Sequence, residues 1–485
     1  MAAVARAMAC GGSLAAVACL VSCRGDSRDP TAPGAPVVTA ASVSANPHNA
    51  ISAVVRVSAR AADSVVVRFS PSGMPGAEGL TPAVGVTGDS AIVPVLGLHP
   101  ARAYVLEPVA YGAGGTTTGP PLAFTTDTLP ADLPRYAASG SDPSPGYVVM
   151  AAGMYGLVID NTGRVVWYRR FPDGPGLNFM AQPDGRYAAR PPTADPRDPG
   201  AWVEIDALGT ETRRMGCARE LRPRLHDLIA QPDGSYWLLC DETRTMDLSS
   251  VGGVASARVT GTAVQHIART GELLFSWSPF DHFAITDVAE SERTGAIVNW
   301  THGNALDLAT DGNLLVSFRN LGEVTKIDSR TGDVIWRLGG RRNDFAFIDT
   351  PTPSFIGQHS ARSLDAGTLV LLDNLGDPAQ SRVERYELDE RARTARLTRS
   401  LGSSPGVTTT IGGSVQPLAG GRKLVSFGTA GRVEEYDATG RVVWRIDGHA
   451  GYVFRAQRIH SLYAPGIDVG RSRATPSTTP SRITR

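Results

Sequence analysis

The chain has 485 residues, of which 42% are hydrophobic and 19% are charged. It can therefore bury a sizeable core, and global disorder is excluded. Basic and acidic residues are equally numerous, at 47 each, which argues against a protein that coats nucleic acid or an anionic membrane. The length fits about two to four domains, and the 53 Gly and 34 Pro residues favour many short strands over long helices.

Residues 1–22 are interpreted as a targeting segment. Arg6 is followed by an uncharged run of 17 residues, Ala7 to Cys23, which is too short for a comfortable membrane-spanning helix. The ending Leu20-Val21-Ser22-Cys23 is typical of a bacterial lipoprotein signal, with cleavage before Cys23 and lipid on its sulfur. An ordinary secretory signal is the alternative. We expect an exported protein, tethered through residues 23–34 to the cell envelope on its periplasmic or surface face.

The chain contains five cysteines. Cys10 and Cys19 leave with the signal and Cys23 carries the lipid, so Cys217 and Cys240 remain. A disulfide between them would persist in an oxidising compartment. Two buried free thiols are the equally open alternative.

Residues 35–127 are predicted to form a small antiparallel β-sandwich, because short Val-rich segments alternate with Pro and Gly. The stretch Leu98 to Tyr104, together with Phe124, resembles a fibronectin type III domain, in which a Tyr near the start of a late strand forms a corner contact. We expect no chemistry in this unit. The predicted strands are Val37–Ser44, Ile51–Ala59, Ser64–Ser70, Ser90–Leu96, Ala103–Ala110 and Leu122–Thr126.

A linker at residues 128–145 precedes a repeat. An Asp, a small turn with Gly, and an aliphatic strand ending in Trp occur at Asp160 to Trp167, Asp328 to Trp336 and Asp437 to Trp444, with three weaker copies. Asp-Gly hairpins lie between the copies, for example at Gly234 and Gly312. Two hairpins make a four-stranded blade, so the sequence predicts an all-β fold with a six-bladed β-propeller over residues 146–468. Seven blades are the alternative, and residues 469–485 are expected to be a disordered tail.

Polar residues recur at one position of the predicted innermost strands. His226, Asn304 and His359 each lie eight residues before the Gly of the next hairpin, and His302 lies two residues before Asn304. Innermost strands line the axis of a propeller, so these side chains should converge there. Reflection through the Asp311-Gly312 turn places Arg319 opposite Asn304. Similar reflections place Asp241 opposite His226 and Asn374 opposite His359.

Three His, one Asn and one Arg describe a cationic site with many hydrogen-bond donors, suited to a tetrahedral oxyanion. Two other interpretations stay open at this point. The histidines could satisfy blade backbones, or three His could hold a catalytic zinc. Arg319 argues against the metal, because it would repel the cation, and we expect no metal and no cofactor.

The segments His302–Asn304, Ser317–Arg319, Lys326–Gly340, Gln358–Arg362 and Arg455–Tyr463 resemble bacterial arylsulfate sulfotransferases, which are exported six-bladed propellers. The resemblance implies transfer of a sulfuryl group from a phenolic sulfate donor to a phenol acceptor, with ping-pong kinetics and no nucleotide donor. It implies that His359 is the nucleophile that becomes transiently sulfated. His226, His302, Asn304 and Arg319 would hold the sulfuryl oxygens, and a second His would act as acid and base.

Phenols need an aromatic-lined mouth, for which Tyr155, Phe318 and Tyr463 are the candidates. The competing function is a non-catalytic propeller, anchored by lipid, that binds a glycan or an envelope protein. A metal-dependent hydrolase or lyase is a third. We expect no nucleic-acid partner and leave a homodimer open.

Overall fold

The computed structural model describes residues 33–74, 78–195, 197–349, 355–376 and 380–464. The predicted signal, Cys23 and the predicted tail lie outside the described residues. Within these ranges the fold is all-β, as predicted, and no helix is long and apolar enough to cross a membrane. Its helices are single 3-10 turns: Ser249–Val251, Pro279–Asp281, Ile285–Asp287, Glu290–Glu292 and Ala419–Gly421.

The first unit is a sandwich of two antiparallel sheets around a Val-rich core. The hydroxyl of Tyr104 accepts a hydrogen bond of 2.9 Å from the N–H of His99, which is the corner contact expected of that Tyr. Kinship with fibronectin modules stays a prediction. One sheet contains Val37–Asn46, Asn49–Arg60 and Ser90–Val95, and the other Ser64–Pro71, Gly79–Leu80, Val84–Gly85, Ala103–Gly112, Gly115–Thr118 and Leu122–Thr125.

Four further sheets follow in chain order, each an up-and-down meander that begins with its innermost strand. Blade 2 contains Phe179–Ala181, Tyr187–Ala189, Trp202–Ile205 and Glu211–Met215. Blade 3 contains Arg222–Ala230, Tyr236–Met246, Ala257–Ile267 and Leu273–Trp277, with Ile297–Asn299 added in parallel to the third strand. Blade 4 contains Gly303–Leu308, Leu314–Phe318, Glu323–Ile327 and Val334–Gly339. Blade 5 contains His359–Asp365, Thr368–Asp373, Arg382–Asp389 and Thr394–Gly402, with Ala346–Ile348 in parallel on its outer edge.

The two remaining sheets combine distant parts of the chain. Blade 1 takes its innermost strand from the end of the described chain and its other strands from residues 147–170. Blade 6 gains an outer strand from the predicted linker, which is therefore part of the folded unit. Blade 1 contains Ala456–Ile459, Tyr147–Ala152, Tyr155–Ile159 and Val165–Arg170, and blade 6 contains Ser414–Pro417, Lys423–Ser426, Val433–Tyr436, Val442–Ile446 and Ala138–Gly140.

The Asp–Gly–Trp repeat has a structural reason. The Asp carboxylate accepts the N–H two residues on, as Asp160 does from Thr162 at 2.9 Å, and this closes the turn between the two outer strands. The Trp ring is buried between blades. The indole N–H of Trp167 donates to the carbonyl of Ala207 in blade 2 at 2.8 Å. The indole N–H of Trp444 makes the equivalent contact with the carbonyl of Asn161 in blade 1 at 2.9 Å, whereas that of Trp336 has no partner among the described residues.

Polar side chains tie the six innermost strands into a closed ring. In each blade a side-chain oxygen accepts a backbone N–H of the next innermost strand, which links neighbouring blades around the axis. The six donor–acceptor pairs are Ala181 N with Gln457 Oε1 (2.9 Å), Ala230 N with Gln182 Oε1 (2.9 Å), Leu306 N with Asp227 Oδ2 (3.0 Å), Ser363 N with Asp307 Oδ2 (2.8 Å), Val415 N with Ser360 Oγ (3.2 Å) and Arg458 N with Gln416 Oε1 (2.6 Å).

Candidate functional site

The structure brings His226, His302 and His359 together where three consecutive innermost strands begin. We call these three residues the histidine group. The ring centroids of His226 and His302 are 5.1 Å apart, in an edge-to-face arrangement. The ring of Phe454 lies 5.6 Å from that of His226 and 6.0 Å from that of His359. The three histidines therefore lie close together at the starts of these strands, and Phe454 contacts two of them.

Each of the three strands departs from regular pairing at its histidine. Register shifts lie between Pro223 and Leu228, between Gly303 and Ala305, and between His359 and Arg362. His302 has a φ of 47° and Ser360 a φ of 56°, both in the left-handed region. β-Bulges re-aim side chains and concentrate near functional sites, and non-Gly residues at positive φ persist only where the surroundings enforce them.

Hydrogen bonds to His359 fix which of its ring nitrogens carries the proton. Nδ1 lies 2.8 Å from Oδ1 of Asn374 and 3.0 Å from the carbonyl oxygen of Gly357, both acceptors. The Asn374 amide cannot turn around, because its Nδ2 donates to the carbonyls of Thr409 (3.0 Å) and Gly412 (2.9 Å). Nδ1 therefore carries the hydrogen, and Nε2 keeps its lone pair.

The Nε2 lone pair of His359 has one weak protein contact, the N–H of Gly412 at 3.3 Å. Burial lowers the pKa of His359 to about 4, against a partial offset from the Asn374 hydrogen bond, and Arg319 and Arg455 lower it further. The imidazole is thus neutral at pH 7. A neutral imidazole with an unprotonated ring nitrogen is the form in which histidine acts as a nucleophile.

His302 has the opposite arrangement. Nδ2 of Asn299 donates to its Nδ1 at 2.6 Å, so the neutral ring carries its hydrogen on Nε2. Burial lowers the pKa of His302 to about 3, with further lowering by Arg224 and Arg319. His302 can donate a hydrogen bond at neutral pH, but it does not hold the extra proton expected of a general acid.

His226 is buried, and its Nδ1 has no hydrogen-bond partner among the described residues. Burial lowers its pKa well below 6.5, and Arg224 and the other histidines lower it further. Arg224 is itself buried and paired with Asp241. The group as a whole is therefore neutral imidazole set among arginines.

Asn304 and Arg319 adjoin the histidine group, in a different register from the predicted one. Asn304 lies in the bulge of blade 4, and its Nδ2 donates to the carbonyl of Gln358 at 2.7 Å, so it supports the residue before His359. Arg319 follows the neighbouring strand, and its backbone N–H donates to the carbonyl of His302 at 3.0 Å rather than facing Asn304. Its guanidinium is half-buried and donates to Oδ1 of Asn320 at 3.1 Å and to the carbonyl of Thr410 at 3.4 Å.

The other two predicted cross-strand pairs also differ from the observed register. Asp241 lies opposite Arg222 and not His226. Leu372 is paired with His359, and Asn374 reaches the ring through its side chain. A count of residues through a turn assumes an unbroken ladder centred on the Asp-Gly pair. In blade 4 the ladder is one residue out of that register already beside the turn, where Leu308 pairs with Leu314, and the bulge shifts it again.

The three aromatic residues predicted to line a mouth pack elsewhere. Tyr155 is buried in blade 1, and its hydroxyl donates to Asp132 at 2.7 Å. Phe318 is fully buried against Trp277, and the hydroxyl of Tyr463 accepts from the N–H of Leu96 in the sandwich at 3.2 Å. The prediction for these three is wrong. Sequence reasoning missed Phe454. This residue directly precedes the segment Arg455–Tyr463 and lies two residues before the innermost strand of blade 1, which begins at Ala456.

Cys217 and Cys240 form a disulfide, with Cα atoms 6.2 Å apart. Cys240 is the register partner of Pro223, so the bond lies beside the start of the innermost strand of blade 3. Among the residues that the structure describes, no group of three or more His, Cys, Asp or Glu side chains is arranged to hold a metal ion.

Comparison with known proteins identifies one family. Residues 218–449 match the family model described as arylsulfotransferase (ASST). No curated protein matches the chain. Similar solved structures include a protein of unknown function from Bacteroides caccae, at 15% identity over 64% of this chain and 98% of that chain with a TM-score of 0.42. Another is virginiamycin B lyase from Staphylococcus aureus, at 11% identity over 64% and 82% with a TM-score of 0.36.

Those likenesses are too distant to carry an argument about this chain. The family match is different in kind, because it covers the part of the chain that contributes all three members of the histidine group. It shows that residues 218–449 are similar to the arylsulfotransferase family.

Proposed function

We propose that the protein transfers a sulfuryl group from a phenolic sulfate to another phenol through a sulfated His359. The observation that carries the proposal is the state of that ring. Its Nδ1–H is bound by Asn374 and Gly357, its Nε2 lone pair is nearly free, and its pKa is lowered to about 4. Such a ring is aligned for attack and uncharged at pH 7.

In the first half-reaction Nε2 of His359 attacks the sulfur. The N–S bond forms and the bond from sulfur to the aryl oxygen breaks, which releases a phenolate that takes a proton from water. The sulfated ring is cationic, and its Nδ1–H stays bound to Asn374 and Gly357. In the second half-reaction an acceptor phenol, having lost its proton to water, attacks sulfur as the phenolate, and the N–S bond breaks to restore neutral His359.

The surrounding donors suit the charge that spreads over the sulfuryl oxygens. Arg319 has weak protein contacts that a sulfate oxygen could replace. The Nε2–H of His302 is a second donor. We assign His302 to hydrogen bonding rather than to proton transfer, because its pKa of about 3 leaves no extra proton to give at pH 7.

We also propose that the protein is exported and lipid-anchored at Cys23. The disulfide between Cys217 and Cys240 fits this proposal, since such bonds persist in oxidising compartments.

The test is to incubate the protein, from Arg24 onward, with 4-nitrophenyl sulfate alone, and to search the quenched protein for a sulfuryl adduct by mass spectrometry. We expect the adduct on the peptide that contains His359 and its absence from His359→Gln. The matched control is His282→Gln, at an exposed histidine that stacks on Trp277, which should retain the adduct.

Release of 4-nitrophenol without an adduct, abolished by a chelator, would replace the proposal with a metal hydrolase. No adduct and no release across several donors from a folded protein would favour a binding module.

A further inference from the structure

Blade 2 contacts the part of blade 3 that carries His226. The ladder between the innermost and second strands of blade 3 stops after Pro223 and resumes at Leu228. The four residues between them stand opposite a single residue, Leu239. We call residues 224–227 the histidine bulge. Buried carbonyls in such a gap need hydrogen-bond donors from outside the ladder.

Side chains of blade 2 supply those donors. The indole N–H of Trp202 donates to the carbonyl of Arg224 at 3.0 Å. The side-chain amide of Asn178 donates to the carbonyl of His226 at 2.6 Å and, more weakly, to that of Leu225 at 3.4 Å. Both donor side chains are fully buried. Three successive carbonyls of the histidine bulge therefore accept hydrogen bonds from blade 2.

The histidine bulge is also held from the axis. Nη2 of Arg455 donates to the carbonyl of His226 at 3.3 Å. The carboxylate of Asp227 binds Arg455 at 3.2 Å and Arg362 at 2.9 Å. These buried ion pairs join blades 1 and 5 to blade 3. The two blade 2 donors, by contrast, make their only side-chain hydrogen bonds within the described structure to the histidine bulge.

Blade 4 holds the segment at His359 by the same kind of bond. Nδ2 of Asn304 donates to the carbonyl of Gln358, the residue before His359, at 2.7 Å. Asn178 and Asn304 are both buried at the start of an innermost strand, and the Oδ1 of each has no hydrogen-bond partner among the described residues. Each of the two histidines is thus supported by an asparagine from the preceding blade.

We propose that Asn178 and Trp202 are positioning residues for the transfer reaction, which hold the histidine bulge and thereby set where the ring of His226 meets the sulfuryl group. This inference rests on the proposed function. Groups that act on a reacting centre must be held to within about 0.5 Å, and a stretch without ladder bonds cannot hold His226 so closely by itself. The segment that matches the family begins at residue 218, so this support comes from outside it.

The test compares two buried tryptophans. Trp202→Phe keeps the aromatic ring and removes the N–H, and should slow adduct formation from 4-nitrophenyl sulfate by about 10–10²-fold in single-turnover measurements. The donor concentration that gives the half-maximal rate should change by less than about threefold, because Arg319 and His302 still bind the sulfuryl oxygens. The matched control is Trp444→Phe, which removes a bond of 2.9 Å to the carbonyl of Asn161 between blades 6 and 1. It should lower the urea midpoint as much as Trp202→Phe does and leave the adduct rate unchanged. Equal slowing in both variants would make the bond from Trp202 purely structural and overturn the inference.

Asn178→Ala removes the second donor, and nuclear magnetic resonance supplies a signature of position. In protein with isotopically labelled histidine, the ring resonance of His226 is identified by its absence from His226→Gln. It should shift in Asn178→Ala and in Trp202→Phe and stay in place in Trp444→Phe. Asn178→Gln keeps an amide donor and should recover part of the lost adduct rate. A slower rate in Asn178→Ala with an unmoved His226 resonance would contradict the inference.

The resonance needs no sulfate donor, so the two proposals can fail separately. An unmoved resonance and an unchanged adduct rate in both blade 2 variants overturn the positioning role and leave transfer standing. No adduct from the unsubstituted protein, with a His226 resonance that moves in both variants, overturns transfer and leaves Asn178 and Trp202 as the residues that hold His226.

Discussion

The two ends of the central axis are built differently. At the histidine end, three innermost strands carry bulges, two residues adopt positive φ, and Nδ1 of His226 is buried without a partner in the described structure. Toward the other end the side chains of Gln182, Asp307 and Gln416 accept N–H groups from the next blade, and only the innermost strand of blade 5 shows a further register shift, between Ser363 and Asp365. In these three strands the longer interruptions of pairing therefore lie at the histidine end.

The largest expected effect comes from breaking the ion pairs between the two ends. In Asp227→Asn, Arg362 and Arg455 lose their buried counter-charge, and the free energy of unfolding should fall by about 3–5 kcal/mol. Urea denaturation followed by tryptophan fluorescence measures this. A fall below about 1 kcal/mol would show that the arginines find other partners.

The next largest effect should appear in turnover at the histidine end. Arg319→Ala removes a donor for the sulfuryl oxygens and should lower kcat by about 10²–10³-fold, with little change in unfolding midpoint because its guanidinium is half-buried and donates to two uncharged groups. Arg319→Lys should recover part of the loss, since it restores the charge without the planar fork. Loss of stability in parallel with activity would make Arg319 a structural residue instead.

The pH dependence sharpens the assignment of His359. Its pKa is lowered, so the nucleophile stays neutral as the pH falls until about 4, and adduct formation should keep its rate well below pH 6.5. Asn374→Asp places a carboxylate on Nδ1–H and should raise that pKa, which moves the acid limb upward by about 1–2 pH units. Stopped-flow rates from pH 3.5 to 8 test this, and superimposable profiles would contradict the assigned contact.

The same shift predicts a change in stability with pH. A lowered folded-state pKa means that neutral His359 contributes stability above pH 6.5, and that this contribution is lost as the pH falls through about 4. His359→Gln lacks this titration. Its unfolding free energy should therefore fall less between pH 6.5 and pH 4 than that of the unsubstituted protein, and an equal fall would place the titration elsewhere.

The smallest effect on stability is expected at the end of the axis away from the histidine group. Gln416→Ala leaves the N–H of Arg458 without its acceptor and should cost about 1–2 kcal/mol of stability while adduct formation is unchanged. A large loss of adduct formation would show that the two ends are coupled.

The sequence predicted the strands and blades well because their signals are local. Asp-Gly turns and the Trp of each repeat lie at fixed offsets along the chain. The eight-residue spacings of His226 from Gly234 and of His359 from Gly367 predicted that the two histidines share one site. Pairing across strands was predicted less well. Arg319 is displaced from Asn304, and Asp241 from His226, because each ladder starts one residue away from the assumed centre of the turn and is shifted again by a bulge. No local signal in the sequence reveals a bulge. The packing of aromatic side chains was harder still to predict from the sequence, because the face on which Phe318 or Phe454 packs depends on neighbouring blades.

The last innermost strand to be made, Ala456–Ile459, closes the ring in blade 1. Phe454 and Arg455 directly precede it, and both contact the histidine group or its support. A chain that stops before residue 454 therefore contains all three members of the histidine group but lacks Phe454, Arg455 and the innermost strand of blade 1. We expect such a fragment to leave the ring of blades open and to form no sulfuryl adduct.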